Sequence, residues 1–310
     1  MSRRNAKIMS LSGGELNQKT SNGLHSMFNR VLNKGMHGIC FSAYEDGQEI
    51  GAQLSETQIR RRMKIIKPYT KWIRTFSCTD GNELIPIIAK EFGLKTLVGA
   101  WLGNDLEINN KEVEGLKKLA HEGYVDIAAV GNEVLYRNDL NENELLNYIY
   151  DVKKDISNIP VGYVDAYYEF AERPKITQAC DIILANCYPF WEGCSNDYAL
   201  IYMKDMFRKA LKAGNGKKVI ITETGWPSEG ESLQGAQPSY ENAIKYFINS
   251  QLWSNEDNIE MFYFSSFDEP WKVGAEGDVG AFWGLWDKNE KPKFKSNILD
   301  FKKKSLFFNE

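Results

Sequence analysis

The sequence predicts an α/β fold, a single (β/α)8 TIM barrel. Three observations carry this: eight short apolar runs of strand character recur along the chain, amphipathic segments with helical spacing separate them, and no linker rich in Pro, Gly or Ser interrupts residues 36–300. The chain has 310 residues. That length suits one barrel, which typically runs to about 250 residues as one unit.

Residues 1–34 differ from the rest. They are polar, carry Gly13-Gly14 and Asn22-Gly23, and show only a short helical pattern around Met27 to Leu32. They read as an N-terminal arm, partly disordered. The strand candidates follow: Met36–Ala43, Lys71–Phe76, Lys95–Ala100, Val125–Val130, Pro160–Val164, Ile182–Asn186, Lys218–Thr222 and Met261–Ser265. Each is short and largely apolar or β-branched, as strands covered on both faces must be. Between them, Ile59, Met63 and Ile66 recur at helical spacing, as do Val113, Leu116 and Ala120, and Leu145, Ile149, Val152 and Ile156. Asp80 to Glu83 and Ser239 to Glu241 supply helix starts; Gly93, Gly123 and Gly214 fall where helices should stop. A doubly wound open sheet is the structural alternative. Such a sheet usually carries a GxGxxG turn or a P-loop after its first strand, and neither occurs here. The predicted organisation is an arm over 1–34, a barrel over 35–301 and a short tail over 302–310.

Composition narrows the function. A net charge of −4 provides no basic footprint for nucleic acid. No stretch approaches the roughly 18 apolar residues of a membrane span, and Met1 to Ser12 lacks the apolar core of a secretory signal. A compartment is not assigned, and a monomer is the default. With three His and no CxxC spacing, neither a metal site nor a cofactor is expected. The five cysteines read mainly as buried thiols. Aromatic residues make up 13 %, with eight Trp. Such rings fill cores, and they also stack on the C–H faces of sugars.

Barrel enzymes place their chemistry at the C-terminal ends of the strands. The fourth strand runs into Gly131-Asn132-Glu133-Val134, and the seventh into Glu223-Thr224-Gly225-Trp226-Pro227. A carboxylate directly after an apolar strand is costly unless it is paired or opens on a cleft. One such glutamate is more simply a helix cap or a solvated loop group. Two, on strands across the barrel mouth, form the pair that glycoside cleavage needs: a protonated carboxyl for the leaving oxygen and an ionised one for the anomeric carbon.

These motifs resemble the two signatures of family 17 glycoside hydrolases, bacterial β-1,3-glucanases and transglycosylases among them. The resemblance covers Met36 to about Phe294. It includes Trp72-Ile73-Arg74-Thr75-Phe76, Cys187-Tyr188-Pro189-Phe190-Trp191 and Phe267-Asp268-Glu269-Pro270-Trp271-Lys272. It implies a retaining enzyme acting on β-1,3-glucan, with Glu133 as acid/base, Glu223 as nucleophile, and Asn132 on the sugar 2-hydroxyl. It also implies support from Glu269, Lys272 and Glu276. From their places at strand ends, Tyr188 is expected to donate to Glu223, with Tyr44 a weaker parallel; Asp165 and Tyr168 are expected to meet sugar hydroxyls. Trp191, Trp226, Trp271, Trp283 and Trp286 are candidate sugar platforms, with Trp191 first. Two rivals stand beside hydrolysis. One is transglycosylation on the same glutamates, since Ser228 to Ser239 resembles bacterial members that include transferases. The other is a non-catalytic glucan-binding protein, against which both carboxylates speak. An aldolase- or dehydrogenase-like barrel lacks a strand-end Schiff-base Lys and a Gly-rich phosphate turn.

Overall fold

A computed structural model of the chain, describing residue 16 and residues 18–294, contains a closed barrel of eight parallel strands in sequential order. The strands are β1 Met36–Cys40, β2 Thr70–Arg74, β3 Lys95–Ala100, β4 Ile127–Asn132, β5 Val161–Ala166, β6 Ile183–Asn186, β7 Val219–Thr224 and β8 Met261–Tyr263. All eight predicted strands are therefore present, with ends that shift by a few residues. The largest consequence falls on β4, which runs on to Asn132 where the sequence suggests an end at Val130.

Helices cover the outside because their starts and stops are encoded locally. Ser55 and Asn141 form capping boxes with Gln58 and Glu144, at the heads of helices Glu56–Ile66 and Glu142–Asp155. Asp105 caps Leu106–His121, and Ser239 caps Tyr240–Glu256 as expected. Gly93 and Gly123 end their helices at φ 70° and 85°. The long helix Asn196–Gly214 instead stops on left-handed Asn215.

The predicted arm needs correcting. Ser21–Lys34 is a 14-residue helix that buries Leu24, Phe28, Val31 and Leu32. Phe28 packs on Phe247 of the helix Tyr240–Glu256 with ring centroids 4.8 Å apart. Among the described residues no long helix follows β8, and Ser21–Lys34 fills that part of the outer layer. Its apolar stripe, Leu24-Phe28-Val31-Leu32, keeps helical spacing, but the polar residues between hid its extent. Residues 1–15 of the arm and the tail 302–310 lie outside the described residues. All five cysteines are free; Cys194 is half-buried and the others are buried. Among the described residues no helix is long and apolar enough to cross a membrane, and no cluster of His, Cys, Asp or Glu is arranged to hold a metal ion.

Candidate active site

The C-terminal ends of β2, β4, β6 and β7 converge on one network. Glu223, in β7, accepts from Arg74 Nη1 at 2.5 Å, from Tyr188 Oη at 2.8 Å and from Asn186 Nδ2 at 3.2 Å. The same Asn186 Nδ2 donates to Glu133 Oε1 at 2.8 Å. Thr222 Oγ1 donates to Asn186 Oδ1 at 2.9 Å, which fixes the orientation of the amide. One nitrogen thus bridges both carboxylates. Their nearest oxygens are at most 6.0 Å apart, the two bond lengths laid end to end. Because the two N–H directions of a planar amide diverge by about 120°, the separation is about 5 Å.

The backbone near the glutamates departs from regular strand geometry. Along a strand, successive side chains alternate faces, so Asn132 and Glu133 should point opposite ways. The β4–β5 register shifts between Ala129 and Asn132, Gly131 has φ 85° and Glu133 has φ 52°. That turn brings both side chains into one network, Glu133 onto Asn186 and Asn132 onto Arg74. Asn132 Oδ1 accepts from Arg74 Nη2 at 2.7 Å, leaving its amide nitrogen as the end available to a sugar hydroxyl. After Glu223 the chain must pass under β8: a Cβ on Gly225 would lie 2.1 Å from the Phe264 carbonyl oxygen, so only glycine fits.

Electrostatics distinguish the two carboxyls. Burial raises the Glu133 carboxyl above its ordinary range, and the neighbouring Glu223 charge adds to this, against smaller opposing contributions from Asn186, Arg137 and Arg74. Glu223 faces the buried Arg74 guanidinium, which compensates its charge. Burial first, and then Glu223, holds the Tyr188 phenol well above its usual value, so it stays protonated and donates. Arg74→Met should leave Glu223 buried without its ion-pair partner. We expect a loss of about 3–5 kcal/mol of stability by denaturant unfolding, the usual cost of breaking a buried ion pair from one side.

A cleft of about 410 Å³ opens over this network. Glu133, Asn186, Glu223 and Glu276 line it together with Tyr136, Tyr167, Tyr168, Tyr188, Trp191, Glu192, Phe264, Trp283 and Ala166. Trp191 is 39 % exposed and lies tilted against Trp283, centroids 5.5 Å apart. Burial pushes the Glu276 carboxyl up to about 7, against the pull of Lys272. Lys272 Nζ sits 2.9 Å from Glu269 Oε2 and 4.0 Å from Glu276 Oε1. Glu269 and Lys272 do not line the cleft themselves; the ammonium stacks over the ring of Phe264, which does.

Five expected site residues need correction. Asp165 is 0 % exposed and touches no cleft. Ala166 lines the cleft, so Asp165, one residue earlier, points to the opposite face of β5, where it accepts from the Tyr163 hydroxyl. Trp226 is 1 % exposed. It faces the outer helices, packing on Phe190 and Tyr246, and its Nε1 donates to the Gln237 carbonyl. Tyr44 lies off the cleft, its hydroxyl accepting from Asn82 and its ring packed edge-on against Trp271. Trp286 is buried against Tyr69 and Phe267, and Trp271 is likewise off the cleft. Conversely, Arg74 and Asn186 join the network although the sequence motifs imply no role there for either. Both are polar residues at the ends of apolar strands, the same local signal that marks the glutamates.

A parallel eight-stranded barrel with a bridged carboxyl pair at its mouth defines a class, the barrel glycoside hydrolases. Comparison with known proteins narrows it: residues 38–284 match the model of the BtgE/BtgC glycoside hydrolase domain. The chain belongs to this family and is a family 17, β-1,3-glucanase-like protein. It is 32 % identical to a glucan 1,3-β-glucosidase of Arthroderma benhamiae over 260 residues, 77 % of this chain and 84 % of that one. It is 28 % identical to a glucan 1,3-β-glucosidase of Schizosaccharomyces pombe, over 76 % of this chain and 78 % of that one. Among solved structures it resembles a family 17 β-1,3-glucanosyltransferase of Rhizomucor miehei, with 29 % identity and a TM-score of 0.76, over 85 % of this chain and 98 % of that one. An active-site mutant of that enzyme, in complex with laminaritriose, matches equally well.

Proposed function

We propose that the protein cleaves β-1,3-glucan with retention of configuration, with Glu223 as nucleophile and Glu133 as acid/base, and that the catalytic unit extends to about residue 301. The observation that carries this reading is the single Asn186 nitrogen bonded to both carboxylates, because a separation of about 5–5.5 Å is the one that suits a covalent glycosyl-enzyme. Glu223 attacks the anomeric carbon while Glu133 gives its proton to the departing sugar oxygen. Glu133, then ionised, takes a proton from water, and the hydroxide formed displaces Glu223 from the same face that the leaving group left. Asn132 offers its amide to the 2-hydroxyl, a contact that strengthens as the anomeric centre gains positive charge. Trp191 provides a stacking face. The relatives' names, glucan 1,3-β-glucosidase and β-1,3-glucanosyltransferase, support the substrate class. We read the action as endo, since among the described residues no long inserted subdomain closes the cleft.

Transfer is the second reading, favoured by the glucanosyltransferase resemblance and by the aromatic wall of Tyr136, Tyr167, Tyr168 and Trp191, on which an acceptor sugar can stack. There the acceptor hydroxyl replaces water in the second step. Timed product analysis on laminarihexaose, with the anomer of first release followed by NMR, tests both readings. Shorter products released as the β-anomer support hydrolysis with retention, and products longer than the substrate support transfer. First release of the α-anomer overturns the retaining mechanism; binding of laminarin without any cleavage overturns both.

A further inference from the structure

We propose that Tyr163 and Asp165, on the helix-facing side of β5, act as a pair of positioning residues for Glu133, holding the turn that aims its carboxyl into the cleft. The proposal rests on the reading of Glu133 as the acid/base.

Neither side chain reaches the cleft, and the mechanism gives neither a task. Both nonetheless sit at one point of a continuous chain of bonds. The Tyr163 hydroxyl accepts from the Leu135 backbone N–H at 2.9 Å and donates to Asp165 Oδ2. Asp165 Oδ1 in turn accepts from the Ala166 N–H at 2.8 Å, which ties the carboxyl to its own strand. On the near side of the turn, the Glu133 N–H donates to the Val164 carbonyl at 2.8 Å. The turn is thus fastened to β5 at its entry by backbone and at its exit by the Tyr163 hydroxyl. It needs both. Glu133 is a non-glycine residue at φ 52°, a conformation that costs about 1–2 kcal/mol and persists only where the surroundings over-determine it. The Tyr163 ring also lies against Gly131, where a Cβ would stand 3.4 Å from the ring edge. Leu135 is buried, so without the hydroxyl its N–H would lose its acceptor. Burial pushes the Asp165 carboxyl up to about 7, a cost that a purely space-filling residue would avoid.

The test compares two substrates in Tyr163→Phe, with Glu133→Ala run in parallel. In 2,4-dinitrophenyl β-laminaribioside the phenolate departs without a proton; in laminaripentaose the leaving sugar needs one. If the pair positions the acid, Tyr163→Phe loses about tenfold or more in kcat/KM on laminaripentaose and less than about threefold on the aryl glycoside. Asp165→Asn, whose amide oxygen still accepts from the hydroxyl, should retain most of the laminaripentaose activity. Equal losses on both substrates, or no loss on either, overturn the proposal. Leaving-group dependence in Glu133→Ala but not in Tyr163→Phe removes the positioning role alone. Its absence in Glu133→Ala removes the acid/base assignment, and the positioning role with it. Should Tyr163→Phe not fold, Asp165→Ala carries the same comparison with the same outcomes.

Discussion

Replacing Glu223 with Ala is expected to cut turnover of laminari-oligosaccharides by about 10⁴-fold or more, the scale on which loss of a covalent nucleophile ordinarily acts. The side chain sits in a space bounded by Arg74, Tyr188 and Asn186, all of them donors. Removing the carboxylate leaves a small cavity lined by a cation and two N–H or O–H groups, which suits a small anion. Added azide should therefore restore activity on an activated aryl laminaribioside. It attacks from the vacated side, so the product should be the α-glycosyl azide, inverted relative to substrate. Residual activity above a hundredth of wild type, or a β-glycosyl azide, would remove Glu223 from the nucleophile role.

The second large effect is expected at Glu133. General acid catalysis typically contributes about 10²–10⁴-fold. Glu133→Ala should lose that much on laminarihexaose and far less on aryl glycosides with activated leaving groups, because only the former needs the proton. Azide here replaces water on the glycosyl-enzyme and attacks from the acid/base side, so the product should be the β-glycosyl azide. The two variants thus give opposite anomers, a contrast that a general loss of structure cannot produce. The pH dependence follows from the same group. Its carboxyl is raised by burial and then by the Glu223 charge, and the protonated form is the active one, so kcat/KM should fall as pH rises through that raised value. Glu223→Gln removes the neighbouring charge and should lower the Glu133 titration, read as its carboxyl carbon shift by NMR. An unmoved or upward-moving titration would contradict the electrostatic coupling.

The fold and the two glutamates were legible because their signals are local. Eight apolar runs, caps such as Ser239, and carboxylates placed directly after strands each occupy a few consecutive residues. The outer helix Ser21–Lys34 was only partly legible, since its stripe of Leu24, Phe28, Val31 and Leu32 gains meaning from Phe247, more than two hundred residues away. Asp165 was misplaced because it stands next to the cleft-lining Ala166 in β5, and alternation along a strand sends neighbours to opposite faces, so a one-residue uncertainty in register reverses the assignment. Trp226 lies past the end of β7, where only the packing of Phe190 and Tyr246 shows which way it turns. Glu133 is the converse case, where a bulge and a left-handed turn defeat the alternation and bring it into one network with Asn132.

The sequence by itself determined the barrel, the family and the place of two carboxylates at strand ends, because hydrophobic period, caps and strand-end motifs are written in adjacent residues. Only the tertiary structure decided that Arg74, Asn132 and Asn186 share one hydrogen-bond network with them, and that Asp165 serves the back of β5 and not the cleft. Closing the barrel brings side chains 149 positions apart, Arg74 and Glu223, to 2.5 Å. Such a distance depends on the register and twist of every strand between them, and no local pattern encodes it.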